Sequence, residues 1–288
     1  MTPPSQPPSK AGSRDAAARE SVRERVAPHL GIDPRALGAF RIGVALIVLV
    51  DLLCYRLPAV EAFYADGGVL PRSTLAETFP LLAKASLHAV SGSARVQTTL
   101  VGVGVLAAAC LLVGYRTRAA TAVTFLLLAS LYARNPYVIN GGNSILAVFL
   151  FLSLFLPLDA RYSLASGRRS VRDDPEETVA RKVCSLGTAV TLLTLVSIYA
   201  ANAVSKYRSD AWVSGIAVPR IFQLGEFTVG VGPLVSEYTA VLTAVNWLWI
   251  ALLSISPLLV VATGRRRAGL ALAFVAAHLG MAATMRLA

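Results

Sequence analysis

Lys206 is the residue in this sequence most suited to chemistry. It stands in "IYAANAVSKYRSDAWVSG", residues 198–215, just past the end of a long apolar run. A lysine at that edge has two readings. Its long stem lets it reach for the bilayer surface as an anchor. Removed from water, the same amine loses proton affinity and serves as a general base. Asn202, Lys206 and Ser209 fall near one helical face, and Trp212 sits where an interfacial ring, or a cover over a pocket, would stand.

The acids and amides form a second set of candidates. Arg41 and Asp51 lie inside the first apolar segment, where ionisable groups are costly and face a partner. Ten residues of helix put them ~15 Å apart, so they do not pair with each other. Arg41 is placed to snorkel inward. Asp51 is expected to find its partner on another helix or outer loop, with Lys206 and Arg134 as first candidates. "FYADGGVLPR" offers Asp66 and Arg72 as the lining of an outer pocket, or as parts of a structural loop capping the bundle. "NPYVINGGNS" offers Asn135, Asn140 and Asn143, amides that hydrogen-bond a ligand headgroup or satisfy a broken helix by themselves. No metal site is expected: the three histidines lie far apart without ligand spacing. The three cysteines make no CxxC pair and read as small buried hydrophobes.

These residues need a scaffold, and the composition names it. Of 288 residues 55% are hydrophobic and only 15% charged, well below the usual quarter, which points to a polytopic helical membrane protein. Apolar segments lie at about 36–56, 96–115, 118–134, 143–158, 183–203, 239–263 and 267–286. The expected fold is therefore an all-α transmembrane bundle of about seven spans, with an interfacial helix over 73–91 that ends at Gly92. The fourth segment is short for a span and is closed by Pro157. Residues 1–31 read as a separate basic tail, disordered at its start, with a short surface helix over 15–29. The tail lacks the apolar region of a removable signal peptide, so the first span itself acts as the insertion signal. Residues 32–288 read as the transmembrane domain. Its last segment runs to the C-terminus without a polar tail, as in a truncated form of a longer protein or a helix ending at the surface.

The net charge of +11 suits basic loops held against an anionic leaflet. No basic run is interleaved with aromatics as a nucleic-acid binder requires. With the N-terminus in the cytoplasm, inside loops carry 17 Lys/Arg and outside loops 8. That bias sets a cell-membrane, multi-pass topology and puts residues 61–75, 133–144 and 205–222 outside, where a working surface is expected.

The order of "FRIGVALIVLVDLL", "FYADGGVLPR", "ARNPYVINGGNSILAVFLFLSLFLPLDARYSL" and "IYAANAVSKYRSDAWVSG" resembles the HTTM (horizontally transferred transmembrane domain) family over about 33–235. That family is similar to the membrane part of vitamin K-dependent gamma-glutamyl carboxylase. The resemblance implies Lys206 as the base toward a reduced quinone, with Tyr199, Trp212 and Gly215 around it. Asn143 stands where the carboxylase has a histidine and where the common family pattern has an acid. The carboxylase's long C-terminal lumenal part has no counterpart here, so gamma-carboxylation of a peptide is not expected.

Two functions follow from these observations. One is an enzyme that uses a lipid quinol at an outward-facing site to modify a substrate, with Lys206 as base and Asp51 and Asn143 in the pocket. The other is a non-enzymatic membrane protein for the maturation, export or immunity of a secreted peptide, the role that some relatives of the family resemble. A transporter is less supported, because no inverted repeat is visible.

Overall fold

The computed structural model describes residues 25–164 and 182–286. Most of the expected basic tail, and most of the 159–182 loop, lie outside these residues. Residues 25–30 are helical. Among the described residues the chain is all-helical, and its only β pairings are two isolated bridges, Ile32 with Val183 and Thr228 with Met285.

Among the described residues seven longer helices form: α1 (Pro34–Val50), α2 (Ala94–Val113), α3 (Thr117–Arg134), α4 (Gly141–Ser153), α5 (Leu186–Tyr207), α6 (Thr239–Ser254) and α7 (Gly264–Thr284). α1 runs on as a π-helical stretch, Asp51–Arg56. Among the described residues four helices are long and apolar enough to cross a membrane: Pro34–Arg56, Ala94–Val113, α5 and α7. The helices at 141–153 and 239–254 are shorter. α1 shows why these are not ordinary amphipathic helices. Its inner face buries Leu37, Val44, Ala45 and Val48, yet its outer face shows Leu46, Ile47 and Val50. A helix apolar on both sides belongs in an apolar surrounding, which marks the protein as membrane-associated.

The chain divides into two compact units. One spans residues 32–188 and holds α1 to α4. α1 starts where Asp33 Oδ1 accepts the Arg35 amide at 2.7 Å, with Pro34 in the first turn. α2 ends at Gly114, whose φ of +75° a side chain would strain, and the Tyr115 amide turns back to the Cys110 carbonyl. That tight turn feeds α3 against α2. The core of this unit runs through Val48, Leu52, Val101, Ala108, Leu128 and Leu150.

Arg41 does not snorkel. It is fully buried, and its guanidinium donates to the carbonyls of Leu158 and Tyr162. The loop that follows α4 thus lies over the start of α1, and carbonyls replace water around the charge. The expected helix over 73–91 is also broken, into Arg72–Thr78, Pro80–Ala85 and a 3-10 turn at Leu87–Ala89. Pro80 forces the break, because the residue before a proline is pushed out of the helical region: Phe79 has φ −133° and ψ 67°.

The other unit comprises the described residues 25–31 and 189–286, so α5, which begins at Leu186, lies mostly in it. α6 positions the segment after α5. Its buried Asn246 donates to the Trp212 carbonyl at 2.9 Å and accepts the Val218 amide at 3.3 Å. Gly215, at φ +78°, turns the chain beside Trp247, with no room for a Cβ. Tyr199 of α5 stacks on Phe274 of α7, with ring centroids 4.4 Å apart.

Candidate functional site

The first unit carries a groove of about 530 Å³ between α1 and α4. Phe40, Val44 and Ile47 of α1 face Ile145, Leu146 and Phe149 of α4 across it. Three of the residues expected from sequence, Asp51, Asn140 and Asn143, also line it. The two helices run antiparallel here. Phe40 near the start of α1 meets Phe149 near the end of α4, rings 6.1 Å apart, while Asp51 and Asn143 share the other end. Eleven residues of rise make the slot roughly 16 Å long.

The polar end is built from the backbone outward. Asn140 and Asn143 cap α4 reciprocally: Asn140 Oδ1 accepts the Asn143 amide at 3.1 Å, and Asn143 Oδ1 accepts the Asn140 amide at 3.0 Å. Asn143 Nδ2 then donates to the Tyr132 hydroxyl at 3.2 Å. Asn143 is thereby held rigid before any ligand arrives.

The sequence suggested a partner for Asp51 on another helix or an outer loop, with Lys206 and Arg134 as candidates; neither pairs with it, and the partner comes from the end of its own helix. Its partner is Arg56, whose Nε lies 3.1 and 3.2 Å from the two carboxylate oxygens. In an α-helix residues five apart point about 140° away from each other. The π-helical i→i+5 register, with the Leu57 amide on the Leu52 carbonyl at 2.8 Å, brings them onto one side. Arg56 also donates to the Tyr64 hydroxyl at 2.8 Å and lies over the Tyr132 ring, 5.4 Å from its centre. Burial pushes the Tyr64 hydroxyl above its ordinary pKa, with Arg56 opposing, so it stays protonated. A carboxylate offers about four lone-pair sites. Arg56 approaches Asp51 through one nitrogen, which leaves acceptor capacity at the groove.

Asp66 and Arg72 come together elsewhere in this unit, joined by Arg134, and Asn135 makes separate contacts of its own. Asp66 Oδ1 accepts the Arg72 amide at 3.0 Å, and Oδ2 accepts Arg72 Nε at 2.8 Å. Arg134 Nη2 reaches Asp66 at 3.4 Å while its Nη1 donates to the Leu70 carbonyl at 2.8 Å. Asn135 donates to the Phe63 carbonyl and accepts the Tyr137 amide. Desolvation acts to raise the Asp66 pKa, but the hydrogen bonds and charge of Arg72, with Arg134 beyond, hold the carboxyl below its ordinary value. These contacts tie loop to helix, as a cap over the bundle does.

Lys206 closes α5 in the second unit. Its ammonium lies 3.6 Å from the centre of the Trp212 ring. No carboxylate pairs with it among the described residues. Tyr207 is exposed and meets the Ser254 hydroxyl at 3.0 Å, and Arg208 is exposed. Among the described residues no three His, Cys, Asp or Glu side chains gather as a metal site, and the three cysteines are free. Cys54 is exposed rather than buried, because it lies on the outer side of the π-helical turn.

Sequence reasoning missed Arg56, Tyr64 and Tyr132. Arg56 counted only as a loop charge, since a spacing of five carries no signal on an ordinary helix. No family model, no curated protein and no solved structure matches this chain.

Proposed function

We propose that this chain is a multi-pass membrane protein of the HTTM kind, with seven spans and a cytoplasmic N-terminus, that binds a reduced isoprenoid quinone. The observation that carries the reading is the groove between α1 and α4: an apolar slot closed at one end by Asp51 and Asn143. A quinol has the matching shape, an apolar tail and a head with hydroxyl donors. The residues fit that group. Asp51 accepts a hydroxyl hydrogen bond, Arg56 holds its carboxyl group in place, and the aliphatic and phenyl walls hold the tail. When bound, the quinol supplies reducing equivalents for modification of a substrate. Lys206 is the residue the resemblance assigns as base.

Gly43 provides the test. It lines the groove, and a Cβ there meets nothing within 4 Å, so the side chain of Gly43→Leu starts into open space and takes up room in the slot. Purified in mild detergent, the native protein should carry a quinone identifiable by mass spectrometry. Gly43→Leu should carry at least about tenfold less, as expected where a ligand's tail loses two or more methylenes of burial. Native protein that neither retains nor rebinds quinone refutes the reading.

A second reading rests on Lys206 itself. A ring face at 3.6 Å stabilises the charged amine, which suits an anchor better than a base. That favours the non-enzymatic membrane protein for maturation, export or immunity of a secreted peptide.

A further inference from the structure

The second unit holds a larger cavity, of about 690 Å³, where the short helix Leu258–Val261 turns into α7. It is an open hollow whose lining is apolar at Leu258, Val261 and Leu270, the first two exposed, and polar at Thr263, Arg265 and Arg266. The three consecutive arginines are not equivalent. Arg267 is used by the fold: it donates to the His29 carbonyl at 3.0 Å, and the His29 ring lies 3.3 Å from the Val260 carbonyl. Arg265 and Arg266 are exposed and make no hydrogen bond or ion pair among the described residues. Two free guanidinium groups therefore border an apolar cavity at the first turn of a helix long and apolar enough to cross a membrane.

We propose that this cavity binds an anionic phospholipid, its phosphate between Arg265 and Arg266 and its first acyl carbons against Leu258, Val261 and Leu270. Charge complementarity selects the anion, because a guanidinium takes a phosphate through paired N–H donors. The apolar part of the lining selects a lipid over a free phosphate. The start of α7 sets the depth, since headgroups lie where a spanning helix begins. The site is independent of the groove between α1 and α4.

The test uses the full chain in detergent, with phosphatidylglycerol, phosphatidylcholine or soluble glycerol 3-phosphate added, and counts bound lipid by native mass spectrometry. Phosphatidylglycerol should be retained at detergent concentrations that strip phosphatidylcholine. Arg265→Gln with Arg266→Gln should weaken it by roughly 30-fold, as two interfacial cations at about fivefold each imply. The corresponding lysine pair should keep most of the binding. Arg208→Gln with Arg220→Gln, both exposed and in the same unit, should leave it unchanged. If the glutamine pair fails to fold, Arg266→Gln against Arg266→Lys reads the same effect at about fivefold. The proposal is overturned if the Arg208 and Arg220 changes weaken binding as much, if phosphatidylcholine binds equally, or if glycerol 3-phosphate displaces the lipid mole for mole.

Discussion

Asp51 and Arg56 form a largely buried ion pair, with side chains 14% and 9% exposed. Deleting one partner of such a pair costs about 3–5 kcal/mol, because the other charge is left buried. Arg56 keeps the Tyr64 hydroxyl at 2.8 Å and the Tyr132 ring at 5.4 Å when Asp51 is lost. Asp51→Leu should therefore fall near the low end, about 3 kcal/mol. Arg56→Met removes the charge that holds the Asp51 carboxylate and also leaves the Tyr64 hydroxyl unpaired. It should cost more, about 4 kcal/mol. The double variant leaves no buried charge, only the Tyr64 hydroxyl, so its cost should shrink to about 1–2 kcal/mol. The two changes are thus non-additive by roughly 5 kcal/mol.

Thermal unfolding in a single detergent measures this, with intrinsic fluorescence as the probe. At about 2–4 °C per kcal/mol, Asp51→Leu should melt some 6–12 °C below the native chain, and the double variant within about 8 °C of it. Costs that simply add, or an Asp51→Leu chain that melts with the native protein, would refute the pairing and the π-helical register behind it.

Other outcomes are as definite. His88 is buried against Ser130, and burial together with the Arg134 charge lowers its pKa from 6.5 to about 4. Its folded pKa lies below the unfolded one, so its stability is complete above about pH 6.5 and drains as pH falls toward 4. The loss totals roughly 3 kcal/mol, and His88→Gln should flatten that part of the pH–stability curve. A Cβ on Gly92 would lie 1.8 Å from Asp66 Oδ2, whereas one on Gly67 meets nothing within 4 Å. Gly92→Ala should thus cost about 1–3 kcal/mol in thermal melting and Gly67→Ala almost nothing. For Lys206, quinol oxidation should be lost in both Lys206→Arg and Lys206→Ala, since arginine keeps its proton. Full activity in the arginine variant leaves the anchor reading, because arginine also stacks on Trp212.

Much of the scaffold was legible because it rests on long apolar runs. Each of the seven apolar segments carries a helix, although among the described residues only four helices meet the length and apolarity of a membrane span. Local chemistry was legible too. Asn140 and Asn143 stand three apart at a helix start, the spacing at which two side chains cap each other's backbone. What could not be read was anything that departs from α-helical periodicity or depends on distant carbonyls. The Asp51–Arg56 pair needs a π-helical turn that no residue type announces. Arg41 needs the carbonyls of Leu158 and Tyr162, more than a hundred residues away. Asp66 was visible as an acid near Gly67-Gly68. Arg134 was visible as a candidate partner for an acid, but for Asp51; the fold gives it to Asp66 instead.

The two acid clusters of the first unit differ in what they leave available, and that difference ranks them as sites. Asp66 meets two arginines and a backbone amide, and both of its oxygens are used. Its hydrogen bonds end on the loop and helix that hold it, so its work is to lock loop 66–72 onto the end of α3. Asp51 meets one arginine through one nitrogen, at the mouth of an apolar groove. Arg56 is in turn held by Tyr64 and Tyr132, and Tyr132 by Asn143, which returns to the same groove. The network thus closes on itself around the groove's polar end and leaves the carboxyl group rigid and able to accept one more hydrogen. The Asp66 side chain is 38% exposed, so water completes its shell, whereas the Asp51 side chain is only 14% exposed, and a charge at such a depth is costly unless it is satisfied. In the proposed function the remaining acceptor of Asp51 takes the ligand hydroxyl.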